Sequence, residues 1–407
     1  MRAIRAASAF DGERFLPGAT VVVDGDRIVG VEAYAAELPA EVQVDEYSGT
    51  VLPGLIDAHT HLVADASIGG LERAGSMSAD ALDEVILSSL RSHAAHGVTT
   101  VRDLGDVAYR TLRFRDVPGM PRVVASGPPI TTAAGHCHFL GGAVRGTSEE
   151  DLRGAVAERV GRGVDVVKVM ASGGFATPGT DQLGAQFTAA QLAVLVDEAH
   201  RNGLSLLAHA HSLEAMESAA AAGVDGIEHF SGLSVTSGSH IGDELLEEVA
   251  RRGIYVDLTM GNDRSFHALM PAPPPPLAEL MKRFGVKDFD EFYASRIGTL
   301  SRLRAHGIRV VTGVDSGMAP AKQHGNVWRV VGEMASAGYS PAEALAAATT
   351  VTAEACGLAG RTGRLAPGHA ADVLVVDGDL SEDLTALSRP VAVLVRGRAV
   401  DATWTTS

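Results

Sequence analysis

The chain has 407 residues, enough for two or three domains or for one α/β barrel with an appendage. With 46% hydrophobic and 21% charged residues, and 46 glycines without a Gly-X-Y period, the composition excludes collagen-like and disordered chains. Thirty-four basic against 50 acidic residues leave a formal charge of −16, which argues against nucleic acid or an anionic membrane as partner and for a small molecule or short peptide.

Two cysteines, Cys137 and Cys356, are too few for a disulfide framework or a Cys-rich zinc ribbon. Asp11 and Glu13 interrupt any apolar leader and no run of 18 apolar residues occurs, so a cytoplasmic protein is expected. In chain order, ATVVVDGDRIVGV (19–31) is β-branched and turns at Asp24-Gly25, a hairpin signature. LIDAHTH (55–61) is the next short strand. Thereafter a helical stretch repeatedly ends at a glycine and an apolar run follows: Gly97, Gly163, Gly203, Gly223, Gly253 and Gly307 precede VTTVRDL, VDVVKVM, LSLLAHAH, VDGIEHF, IYVDLTM and IRVVTGVD. Thr188 with Gln191, and Ser340 with Pro341 and Glu343, read as capped helix starts.

With LIDAHTH and RVVASGPPI (122–130) the apolar runs number eight, the count of a (β/α)8 TIM barrel whose sheet is buried on both faces. Near the far end, ADVLVVDGD and AVLVRGRAV match the strands of the N-terminus. Both ends are therefore expected to build one small β-sandwich domain, 1–52 plus 363–407, with the barrel (53–362) inserted between them. Before the eighth strand, MPAPPPPLAELMKRFGVKDFDEFY breaks the repeat. Its Pro273–Pro276 run should be stiff polyproline II, followed by a helix. An insertion over about 262–296 would overhang the barrel mouth as a lid, or serve as an oligomer contact, and a homo-oligomer is expected.

Polar residues on apolar barrel strands carry the chemistry. His59 and His61, two apart, share one strand face, as do His209 and His211. Lys168 ends VDVVK, His229 closes the sixth strand and Asp315 the eighth. Singly, each has an ordinary structural explanation: a packed histidine pair, a snorkelling lysine, an Asp capping a turn. Together they converge on the C-terminal rim, where barrel enzymes keep their active sites, and neutral imidazoles with carboxylates suit zinc or a related divalent ion.

These motifs resemble the amidohydrolase superfamily, metal-dependent hydrolases on a distorted (β/α)8 barrel. The matching stretches are PGLIDAHTH, VVKVM, LAHAHS, IEHF, TGVDSG and PAEALAAATTVTAEACGL with GRLAPGHAADVLVVD. The resemblance implies two divalent ions, zinc first among the candidates: His59, His61 and Asp315 would hold one, His209 and His229 the other. Lys168 would bridge them as an N6-carboxylated side chain, because an ammonium has no lone pair to give a cation. The spacing from His209 to His229 and the HAHS context resemble the branch of imidazolonepropionase-like proteins, prolidase-type dipeptidases and ochratoxin-hydrolysing amidases. That branch implies His209 as ligand and His211 on the substrate side. GHCHF departs from the dipeptidases' glycine-rich form, and His136, His138 and His324 join His211 as substrate-binding candidates.

The implied reaction is hydrolysis of an amide, in a peptide or N-acyl amino acid, by a metal-bridging hydroxide, with Asp315 as proton acceptor and His136 or His211 assisting. Rival readings are a mononuclear deaminase or chlorohydrolase, for which His211 and Glu214 form a His-x-x-Glu; hydrolysis of an ester, lactone or phosphotriester; and a non-catalytic scaffold.

Overall fold

A computed structural model describes residues 1–269, 272, 273 and 275–401. The N-terminal strands are β1 (Arg2–Phe10), β2 (Phe15–Leu16), β3 (Ala19–Asp24), β4 (Arg27–Ala33) and β5 (Gln43–Pro53). The central strands are β6 (Leu55–Thr60), β7 (Val98–Asp103), β8 (Arg122–Ala125), β9 (Val167–Met170), β10 (Leu206–Ser212), β11 (Gly226–Leu233) and β12 (Tyr255–Asp257). β13 (Val373–Val376), β14 (Pro390–Val395) and β15 (Arg398–Ala399) complete the described strands.

Both ends of the chain meet in one mixed sheet ordered β15-β14-β13-β5-β1-β3-β4, with β2 on β1. β1 and β5 run parallel, and β5 hands over to the C-terminal strands through antiparallel pairing with β13. β3 and β4 form the expected hairpin, with Asp24 opposite Arg27 and Gly25 at φ 58°. Ile4, Val21, Val23, Ile28, Val51, Val373, Val375 and Leu394 share one buried cluster, so apolar residues from both termini bury the same surface.

The central strands form two parallel sheets, β6-β7-β8 and β12-β11-β10-β9. Backbone bonds of Ile130 to Lys168 and of Met170 to Ile130 join β8's continuation to β9. On the other side the segment 310–316 lies between β12 and β6, with Val256 bridged to Val310 and Thr60 to Ser316. Eight parallel segments thus follow one another around a ring. The eighth is not a regular strand, because side chains take its amides: Thr312 N donates to Thr352 Oγ1 and Val314 N to Asp57 Oδ1, at 3.1 and 3.2 Å. Thr188 and Ser340 start their helices with complete capping boxes, and the six glycines before the apolar runs all have positive φ.

The insertion comprises a 3-10 turn (Arg264–Leu269), a helix (Pro275–Arg283) and a longer helix (Phe289–Ala305). The expected polyproline II run does not extend to Pro276: a helix begins at Pro275, where a missing N–H costs no helical hydrogen bond. Met270, Pro271 and Pro274 of the insertion, and residues 402–407 of the terminal unit, lie outside the described residues. Leu277, Leu280 and Met281 pack with Leu233 at the end of β11 and with Leu183 in the loop after β9. The insertion therefore buries apolar residues against the end of β11 and the loop after β9.

Candidate metal centre

His59 and Lys168 lie within β6 and β9, His209 and His229 within β10 and β11, and His61 directly follows β6. With Asp315 from the eighth segment they line one pocket, which His136 and His211 also enter. All eight are buried.

Hydrogen-bond partners fix the tautomers. Gly105's carbonyl lies 3.0 Å from His61 Nδ1 and can only accept, so Nδ1 carries the proton and Nε2 keeps its lone pair. Gly173's carbonyl, 3.1 Å from His209 Nε2, likewise leaves His209 Nδ1 free. Glu228 Oε2 accepts from His59 Nδ1 at 2.7 Å and is itself held by Arg102 at 3.2 Å through its other oxygen. Such a carboxylate behind an imidazole is what orients a metal-ligating histidine. The freed Nε2 atoms of His59 and His61 then face Asp315 Oδ1 at 3.5 and 3.2 Å. Three acceptors aimed at one point repel unless a cation or a proton lies between them.

A second group, His209, His211 and His229, brings its ligand atoms within 4.8 Å of one another. His229 Nδ1 meets Thr259 Oγ1 at 3.0 Å and His211 Nδ1 meets Ser231 Oγ at 2.9 Å. Lys168 lines the same pocket, and its Nζ is buried with no hydrogen-bond partner.

Burial lowers His59 to about 4 and His136 to about 3, and drives His209, His211 and His229 well below the usual histidine value, so these rings are neutral donors. Burial also disfavours a charged His61, but the bond and charge of Asp315 outweigh it and its pKa rises. Asp315 stays well below the carboxylate range although burial pushes it up, because His61, His59 and Lys322 favour its anion. Lys168 is lowered by burial to about 8, which leaves a fraction of it as the free, nucleophilic amine near neutral pH.

Two substrate candidates lie elsewhere. His324 packs its ring against His93, with Nδ1 3.1 Å from His93 Nε2 and Nε2 2.8 Å from the Ala64 carbonyl. His138 turns Nδ1 to the Gly135 carbonyl at 2.9 Å and is exposed. Neither lines the pocket. Glu214, the acid of the deaminase reading, is exposed on the helix Leu213–Ala222 and does not line it either. His136 does line it, tied through Nδ1 to Thr177 Oγ1 at 3.0 Å. Sequence reasoning passed over Arg102, Glu228 and Asp257, although each is a polar residue on an apolar barrel strand. It also passed over Phe175, which borders the pocket 40% exposed with its ring edge-on to His211 at 4.7 Å.

A family model described as the Amidohydrolase family matches residues 50–400. The chain belongs to this family. Ochratoxinase of Aspergillus niger is 26% identical over 419 residues, covering 94% of this chain and 82% of the relative. An imidazolonepropionase of Cereibacter sphaeroides is 27% identical, covering 94% of each chain. Among solved structures, a prolidase complexed with N-methylphosphonate-L-proline superposes with a TM-score of 0.81 at 26% identity, covering 98% of this chain and 99% of that one. As an amidohydrolase the chain is a hydrolase of TIM-barrel type, in a family that generally uses divalent metal centres, and its His and Asp groups have the composition of such a site.

Proposed function

We propose that this amidohydrolase is a binuclear, metal-dependent hydrolase that cleaves an amide-type carbon–nitrogen bond in a small molecule or short peptide. The reading assigns His59, His61 and Asp315 to one cation and His209 and His229 to the other, with Lys168, N6-carboxylated, between them. Lys168 carries it: an ammonium buried without a partner is costly, whereas a carbamate at the same place would offer two oxygens sharing one negative charge to neighbouring cations. Divalent cations bound there, zinc first among them, supply Lewis acidity towards a carbonyl and bring the ionisation of water towards neutral pH.

The chain's own residues do the rest. Asp315 holds and passes the proton between nucleophile and departing amine. His211, between His229 and Phe175, and His136, pinned by Thr177, face the substrate and position its carbonyl. Phe175, Met170, Ala176 and Met318 supply an apolar wall to the same pocket, which suits an uncharged group flanking the scissile bond. The division into a terminal β unit (1–52 with 363–407) and a barrel (53–362) leaves every assigned ligand in the barrel, with the insertion as a lid-like arm. The exposed position of Glu214 disfavours the deaminase reading.

The test is metal content with Lys168→Ala. Wild type grown with zinc and bicarbonate is expected to hold close to two metals per chain. The variant is expected to lose at least one metal and its activity, and to recover in part with a short-chain carboxylic acid. Two metals retained in the variant would sink the bridge assignment.

A further inference from the structure

Two pocket residues, His229 at φ 69° and Asp315 at 63°, hold left-handed backbone, as do Phe230 at 46° and Thr259 at 48° beside them. For L side chains, and above all for a β-branched threonine, this conformation persists only where surrounding structure over-determines it. At His229 the β10–β11 ladder breaks, since pairing passes from Ala210 with His229 directly to Ser212 with Leu233. The carbonyls along the break need other partners.

Two buried or half-buried cations provide them. Arg296, on the helix Phe289–Ala305, donates to the carbonyl of His229, to that of Phe230 at 2.9 Å and to that of Leu258 at 3.1 Å. Lys322 Nζ donates to the carbonyls of Thr259 and Val314, both at 2.7 Å. Val314 precedes Asp315, and Thr259 Oγ1 is the partner of His229 Nδ1.

We infer that Arg296 and Lys322 are positioning residues that clamp the strained turns bearing His229 and Asp315, each setting one half of the metal centre. Resting on the two-metal reading, the inference assigns Arg296 to the His209–His229 half and Lys322 first to the Asp315 half, with a smaller effect on His229 through Thr259. The planar guanidinium fork reaches two carbonyls of β11 and one just after β12, whereas the ammonium gathers two that converge on one point. The insertion thereby acquires a further role, because its long helix carries Arg296 into the barrel.

The experiment compares Arg296→Met, Arg296→Lys, Lys322→Met and Lys322→Arg with wild type by two readouts. The first is amide hydrogen exchange in metal-free protein. Arg296→Met is expected to speed exchange in 226–233, and Lys322→Met in 257–260 and 312–317, while distant strands keep wild-type protection. The second is stepwise zinc competition against a chelator. Arg296→Met should weaken one zinc by about tenfold or more and leave the other within about twofold, and Lys322→Met should weaken the other zinc. Arg296→Lys and Lys322→Arg keep the charge and should recover part of each effect. If a methionine variant is insoluble, these two show the same segment pattern in milder form. Unchanged exchange in the named segments, or equal weakening of both zincs with a uniform loss of protection, would overturn the clamp. Should wild type bind no zinc, the two-metal reading falls, and exchange in metal-free protein still decides the clamp.

Discussion

Asp315 makes the separation of binding from chemistry testable at a single residue. Asn in its place keeps the size and one coordinating oxygen but cannot take a proton. Turnover of Asp315→Asn is expected to fall by about 10² to 10⁴ while the Michaelis constant changes far less, because the proton transfer belongs to the transition state. Steady-state kinetics on a metal-loaded variant check this, and near-normal turnover would leave Asp315 a ligand only. Glu228 acts one step further back. Glu228→Gln removes the charge that holds the proton on His59 Nδ1 and leaves Arg102 without its anion. Metal affinity is expected to drop about 10- to 100-fold, with the fold retained in circular dichroism. An unchanged affinity would show that the His59 tautomer is set elsewhere.

At the scale of elements, the loop after β9 connects the centre to the insertion. Gly173 N bonds Asp181 O at 3.0 Å and Ser172 bridges Ala185, so the loop folds back on itself. Thr177 ties it to the His136–Cys137 turn, and Gly174 lies so close to His136 that a Cβ there would come 2.3 Å from Nε2. Phe175 is thereby presented at the rim by an anchored loop. Phe175→Ala is expected to raise the Michaelis constant about tenfold for amides with an aromatic flank, the scale of a lost aromatic contact, and much less for small aliphatic ones. Equal effects on both substrate sets would remove Phe175 from recognition. The strands that bear this site were legible because helix, glycine stop and apolar run recur, and because a ligand residue ending an apolar run stands out. The clamp was not. Arg296 and Lys322 bond backbone carbonyls, which every residue possesses, and left-handed His229, Thr259 and Asp315 carry no glycine to announce the turn. His324 reads as a loop histidine near a motif, and only its contact with His93 shows that it belongs to the packing behind the site.

For the whole molecule, burying so many neutral imidazoles makes the metal-free fold sensitive to acid. His324 shows this: burial holds it at about 4 against 6.5 in an unfolded chain, although its bond to the Ala64 carbonyl favours the charged ring. Between those values the unfolded chain binds the proton and the folded one does not, so stability falls as pH drops through this window. Above 6.5 both states are neutral there and the contribution is fully present. A lowering of this size corresponds to on the order of 3 kcal/mol lost by pH 4. In His324→Gln the side-chain amide oxygen still accepts from His93 Nε2 and the amide N–H still donates to Ala64, but nothing titrates. Urea unfolding of metal-free wild type and variant between pH 4 and 8 is expected to show a shallower slope for the variant below pH 6.5. Above it the two curves should run parallel. Metal-free protein is essential, since bound metal adds its own stabilisation and its own release on acidification. The more distant histidines titrate in both proteins, so the difference reports His324 together with its neighbour His93, whose charged form His324 disfavours, and identical slopes would show that His324 is already charged in the fold.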